Sequence, residues 1–101
     1  MEQTERIRQM EQHLDRASAA VMDLSAALDK YVEAQEAIAA LGEYYASDDW
    51  KQDYAADEAG RLPAGLKRGV LSQDGIWNLL SDCRELNSRL RETATDVLKD
   101  S

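Results

Sequence analysis

Apolar residues recur at alternating spacings of three and four along the first third of the chain, with polar residues filling the positions between them. A seven-residue repeat of this kind lines one face of an α-helix and is typical of helices that pack against other helices. The pattern therefore predicts one long helix from about residue 4 to about residue 44. The positions that keep the repeat are Ile7, Met10, Leu14, Ala17, Val21, Leu24, Leu28, Tyr31, Gln35 and Ile38.

A short second helix is predicted over about residues 48–59. Ser47 is a good N-cap, and the two aspartates that follow it suit the positive end of a helix dipole. Gly60, followed two and three residues later by Leu62 and Pro63, indicates where this helix ends.

The last predicted helix covers about residues 72–99. Ser72 is the expected N-cap, and Leu71 with Ile76 occupies the two positions of a hydrophobic staple. Apolar residues then repeat at three and four as far as Leu98, which gives this helix one apolar face that matches the first helix.

These elements predict an all-α fold, because no segment alternates apolar and polar residues as a strand does. We expect a single domain over residues 1–101. Its core would be a long antiparallel helical hairpin of the first and last helices, closed at one end by the short helix and an ordered loop. Two such coiled-coil-like units are expected to pair into a larger bundle.

Composition narrows the classes of function. The chain has 101 residues, 44% hydrophobic and 32% charged, which is typical of a folded protein without a membrane span. A net charge of -8 disfavours nucleic acid and membrane partners. A single cysteine, Cys83, and an N-terminus without a secretion-signal pattern predict a cytoplasmic location.

The second half of the chain resembles a family of small bacterial helical proteins, domain of unknown function 4298. The segments that carry the resemblance are Tyr44-Tyr45, Asp48-Asp49-Trp50, Asp57 to Pro63, Leu66 to Asp74 and Leu79-Leu80. The family also has a long charged first helix, so the resemblance covers almost the whole chain. It implies an intracellular helical protein with no established activity, and no catalytic residue to carry over.

The segment from Asp57 to Asp74 is the best candidate for a specific site. Residues 48–58 carry five acids and one base, whereas residues 61–68 carry three bases and no acid. One interpretation is that Lys67 and Arg68 pair with Asp57, Glu58 or the first helix and pin the loop. The others are a protein-partner site or a small anion site near a helix N-terminus. The candidate surface comprises Trp50, Tyr54, Asp57, Glu58, Arg61, Lys67, Arg68 and Trp77.

Tyrosines and tryptophans cluster in the same middle region, where they suit either a half-buried seal of the bundle end or a partner surface. Trp77 adjoins the stripe residue Ile76 and is the aromatic that we most expect at a self-contact. Gln35 occupies a position of the repeat, where a polar group either fixes the register of packed helices or lies half exposed.

No pattern in the chain indicates a catalytic group, a cofactor or a metal site, and Gly65 to Gly69 lacks the ending of a phosphate loop. We expect a non-enzymatic interaction or self-association module, most simply a homodimer, with an unidentified protein as a further partner. The alternative is a module that binds a small ligand or anion through the 57–74 loop and its aromatic neighbours.

Overall fold

The computed structural model describes residues 2–99, and residues 1, 100 and 101 lie outside this part. The described chain contains helices and turns and no strand, so the all-α prediction is confirmed. The helices are α1 (Gln3–Glu33), α2 (Gln35–Tyr45), α3 (Asp48–Glu58) and α4 (Gly75–Lys99), with a 3-10 turn at Gly69–Leu71 before α4. No helix among these residues is both long enough and apolar enough to span a membrane.

The chain forms two compact units that divide between Glu36 and Ala37. The first contains α1, and the second contains α3, the 3-10 turn and α4 together with most of α2. The expected single domain and the pairing of α1 with α4 stay predictions.

The long helix predicted over residues 4–44 is interrupted at Ala34. The side-chain amide of Gln35 donates a hydrogen bond to the carbonyl of Tyr31 at 2.9 Å. In an uninterrupted helix that carbonyl accepts the backbone N–H of residue 35, so the side chain competes with the helix's own ladder. Gln35 is exposed and lies where the helix is interrupted, which favours the second of its two interpretations.

Short helix α3 has defined signals at both ends. The Ser47 hydroxyl accepts the backbone N–H of Trp50 at 3.3 Å, which confirms the predicted N-cap. At the other end Gly60 adopts φ +71°, a left-handed conformation that side chains disfavour. The N–H groups of Gly60 and Arg61 donate back to the carbonyls of Asp57 and Ala56, which is a Schellman ending.

Helix α4 begins at Gly75, three residues later than the predicted start at Ser72. The Ser72 hydroxyl still caps it, because it accepts the Gly75 N–H at 3.0 Å while donating to the Gly69 carbonyl at 2.8 Å. A Cβ on residue 75 would lie 2.5 Å from the Gly69 oxygen and 2.6 Å from the Ser72 hydroxyl. The 3-10 turn therefore crosses the start of α4 so closely that only glycine fits.

The best-buried residues of the second unit are Leu71 and Ile76, with 6% and 3% of their surfaces exposed. They are the two residues predicted to form the hydrophobic staple. The 3-10 turn that carries Leu71 packs against both α3 and α4. Helix α2 also approaches α4, since a Cβ on Gly42 would lie 3.9 Å from a methyl group of Leu80. The core thus forms where α2, α3 and α4 meet the turn.

Candidate functional site

The first candidate surface is the apolar face of α1, here called the α1 stripe. No residue of α1 is buried, and the large aliphatic members of the stripe expose between 39% and 69% of their surfaces. The α1 stripe consists of Ile7, Met10, Leu14, Ala17, Val21, Leu24, Leu28 and Tyr31. Helix α1 therefore carries a continuous apolar face that is open to solvent in the single chain.

The predicted stripe does not continue unchanged beyond the interruption at Ala34. Ile38 lies on α2 in the second unit and is half-buried there. The interruption at Ala34 separates this residue from the α1 stripe along the chain, so the seven-residue pattern covers two helices rather than one.

The second candidate region is the aromatic cluster of the second unit. The ring of Trp50 stacks on Tyr54 at 5.1 Å between centroids and meets Tyr45 edge-on at 5.0 Å. Its indole N–H donates to the Val70 carbonyl at 2.9 Å. Trp50 thereby ties α3 to the 3-10 turn, and its polar N–H group is used inside the fold.

A tyrosine and an aspartate connect α2 to α3. The Tyr44 hydroxyl donates to Asp53 Oδ2 at 2.6 Å. This bond, together with desolvation and the nearby negative charge, raises the pKa of Tyr44 to about 12. The pKa of Tyr54 is also raised, chiefly by its hydrogen bond to the Glu58 carboxylate. Neither tyrosine is an acid or base near neutral pH, so both act as hydrogen-bond donors.

The ends of the loop are joined by an ion pair. Arg68 Nη1 lies 3.0 Å from Asp57 Oδ1, and its Nη2 donates to the Ala64 carbonyl at 3.3 Å. One guanidinium thus holds the end of α3 and the middle of the loop together. Of the interpretations left open by the sequence, this contact matches the pinning of the loop.

Lys67 has different surroundings from Arg68. It lines an open pocket of about 400 Å³ whose other walls are almost entirely apolar. Within residues 2–99, Lys67 forms no ion pair. The pocket walls are Leu41, Gly69, Val70, Gly75, Ile76 and Leu79. The pocket therefore combines an apolar lining with one cation.

Glu58, one of the remaining predicted surface residues, interacts with the Tyr54 hydroxyl. Arg61, Glu58 and Trp77 are all exposed, and 56% of the Trp77 surface is accessible to solvent. Sequence reasoning did not identify the hydrogen bonds of Tyr44 and Trp50 or the pocket wall at Leu41. A spacing along the chain carries no signal for a carbonyl such as that of Val70, because every residue has one.

The described residues contain no group of three or more His, Cys, Asp or Glu side chains that could hold a metal ion. These residues define an all-α protein with an exposed heptad face on its first helix. Its second unit has a loop pinned by an ion pair and an aromatic cluster on α2 and α3.

This protein belongs to the family described as Domain of unknown function (DUF4298), whose family model matches residues 7–93. The resemblance found in the sequence is thereby confirmed. The match includes the α1 stripe and the whole loop. Searches of curated proteins and of solved structures find no match.

Proposed function

We propose that this protein is a non-enzymatic interaction module of the cytoplasm that associates with a second copy of itself through the α1 stripe. The observation that carries the proposal is the exposure of the large apolar side chains along α1. Exposed apolar residues that are scattered singly need no partner, but these repeat with the heptad spacing of a packing seam.

The energetics of a lone helix support this proposal. Helix α1 has 31 residues and extends about 46 Å at 1.5 Å per residue. Isolated helices are marginal in water, and helices in proteins owe most of their stability to packing of an amphipathic face. Full burial of one large aliphatic side chain contributes about 1.5–3 kcal/mol. Covering the α1 stripe would therefore stabilise both the helix and the complex.

The experiment is a mass measurement by size-exclusion chromatography with light scattering over at least a tenfold range of concentration. The wild type is expected near twice 11.3 kDa at the high end. Leu24→Glu places a charge in the stripe and is expected to give a monomer. Met22→Glu is the matched control, because Met22 lies on α1 outside the stripe and is 72% exposed.

Two results would contradict the proposal. One is a wild type that stays monomeric at every concentration. The other is a dimer that Leu24→Glu and Met22→Glu weaken equally, since association would then not depend on the stripe. In the first case α1 becomes the bait for capturing a different protein.

A second candidate function, the binding of a small amphipathic anion, is favoured by the pocket beside Lys67. Its volume lies within the range of about 300–1,000 Å³ common for ligand sites. An apolar lining with one cation suits a carboxylate that carries a hydrocarbon tail. Arg68 is already engaged by Asp57 and is not needed for this site.

The test of this candidate function is isothermal titration calorimetry with a medium-chain fatty acid as the ligand. Lys67→Ala is expected to abolish binding without lowering the melting temperature, whereas Arg61→Ala is the control and leaves binding unchanged. Equal binding by wild type and Lys67→Ala would set this function aside.

A further inference from the structure

We infer, in a step that rests on the self-association proposed above, that the second copy lies parallel and in register along the α1 stripe, with Arg6 of each copy paired to Glu11 of the other. Arg6 and Glu11 flank the first turns of the stripe, beside Ile7 and Met10.

The heptad register of α1 gives these two residues their positions. Ile7, Leu14, Val21 and Leu28 take position a, and Met10, Ala17, Leu24 and Tyr31 take position d. Arg6 is then in position g and Glu11 in position e of the following heptad. In a parallel pair of helices, each g residue lies beside the partner's e residue five places further along, where opposite charges form ion pairs.

Charge complementarity favours this arrangement. Arg6 and Glu11 are five residues apart and have opposite charges, so an in-register parallel dimer forms the pair twice, once on each side of its symmetry axis. No other e or g position of α1 holds Lys, Arg, Asp or Glu. These other positions are Thr4, His13, Ser18, Ala20, Ser25, Ala27 and Val32.

An antiparallel pair does not use these charges. Matching the full stripe in that orientation places Ile7 opposite Tyr31 of the other copy and brings g beside g and e beside e. Arg6 then lies near small residues at the far end of the partner, and Glu11 lies near Ser25 or Val32. Neither charge meets an opposite one.

Both side chains are available for such contacts. Residues five apart point in different directions on a helix, because neighbours on one face are three or four apart, so Arg6 and Glu11 do not pair within one α1. Across residues 2–99 neither side chain takes part in an ion pair. The intermolecular contact therefore competes with no contact inside the chain.

Charge reversal tests the pair in the full-length protein. Arg6→Glu alone or Glu11→Arg alone creates two like-charge contacts in the dimer. Each single variant is expected to raise the dimer dissociation constant by about tenfold. The double variant Arg6→Glu with Glu11→Arg restores both pairs and is expected to return Kd to within about twofold of wild type. Arg8→Glu is the control, because Arg8 lies in position b, away from the seam. Sedimentation equilibrium supplies the dissociation constants.

Disulfide trapping supplies an independent test of orientation. In a Cys83→Ser background, Ile7→Cys and Tyr31→Cys chains of different mass are mixed and oxidised. A parallel dimer is expected to link like chains, whereas an antiparallel dimer links unlike chains. A dimer that links unlike chains, or one that the double reversal does not rescue, overturns the parallel arrangement and leaves self-association standing. A monomer at every concentration overturns both.

Discussion

Helix α1 and the loop end of the second unit, which extends from α3 through the 3-10 turn to the start of α4, both combine apolar and charged residues. The two regions use these residues differently. In α1 no residue is buried, and the large aliphatic residues of its apolar face are exposed. Around the 3-10 turn, Leu71 and Ile76 are buried. The Trp50 indole donates a hydrogen bond to the Val70 carbonyl, and Arg68 forms an ion pair with Asp57. The loop end is thus stabilised by contacts within one chain.

The difference indicates that α1 serves association between copies, whereas the loop end is stabilised within one chain. A region that satisfies its own apolar and polar groups loses stability when these groups are changed, at any protein concentration. A helix whose apolar face is covered by another copy becomes more stable as concentration rises. We therefore expect a division between the two regions, in which only substitutions on α1 have effects that depend on protein concentration.

The largest expected effect is at Ile76. Replacing it by alanine removes a residue that is 3% exposed and is expected to cost about 2–5 kcal/mol of unfolding free energy. Leu24→Ala on α1 is the comparison, and its cost is expected to grow with protein concentration because Leu24 is covered only by association. Urea denaturation at two concentrations measures both; a concentration-dependent cost for Ile76→Ala would contradict the division.

The second-largest loss of stability is expected for Gly75→Ala. The new Cβ would lie 2.5 Å from the Gly69 carbonyl oxygen, so the 3-10 turn or the start of α4 must shift, at a cost of about 1–3 kcal/mol. Gly65→Ala is the matched control, because no atom lies within 4 Å of its added Cβ. Thermal unfolding compares the two, and equal melting temperatures would show that the crossing of the turn over α4 is not a tight contact.

Tyr44→Phe tests the link between α2 and α3 and is expected to cost about 1 kcal/mol at neutral pH, the typical value of one hydrogen bond. Because the folded pKa of about 12 exceeds the ordinary value of 10.0, Tyr44 stabilises the fold fully below pH 10. Above that pH the unfolded chain loses the proton first, so this contribution falls and is lost as the pH passes the folded pKa.

Stability measured from neutral pH upward checks this sign. The difference between wild type and Tyr44→Phe is expected to shrink above pH 10. A difference that stays constant to pH 12 would mean that Tyr44 ionises equally in both states.

The smallest effect is expected for the ion pair of Arg68 and Asp57. Their side chains are 36% and 27% exposed, so solvent screens the pair and its coupling energy is expected to be about 0.5 kcal/mol. A double-mutant cycle with alanine at both positions measures the coupling, which should fall further as salt is added. A coupling that does not respond to salt would contradict a screened pair.

The sequence predicts local features of this fold better than long-range ones. The cap at Ser47, the stop at Gly60 and the burial of Leu71 and Ile76 each follow from residues within a few positions of one another. No proline or glycine lies at the interruption at Ala34. The interruption involves a side-chain hydrogen bond of Gln35, and a glutamine at this position is equally compatible with an uninterrupted helix.

The candidate site divides in the same way. The bases of the loop were expected to pair with the acids before it, and Arg68 does so with Asp57. That Lys67 lines a pocket instead depends on where α2 places Leu41, which no spacing within the loop encodes. Similarly, Gly75 is explained only by the position of Gly69 above it.

The most direct test of the central claim is hydrogen–deuterium exchange followed by mass spectrometry, at protein concentrations well above and well below the dimer dissociation constant. The account predicts that amides of α1 lose protection on dilution, whereas those of α3 and the first turns of α4 do not change. Protection of α1 that is the same at both concentrations would show that the helix is held within one chain, and it would contradict association through the α1 stripe.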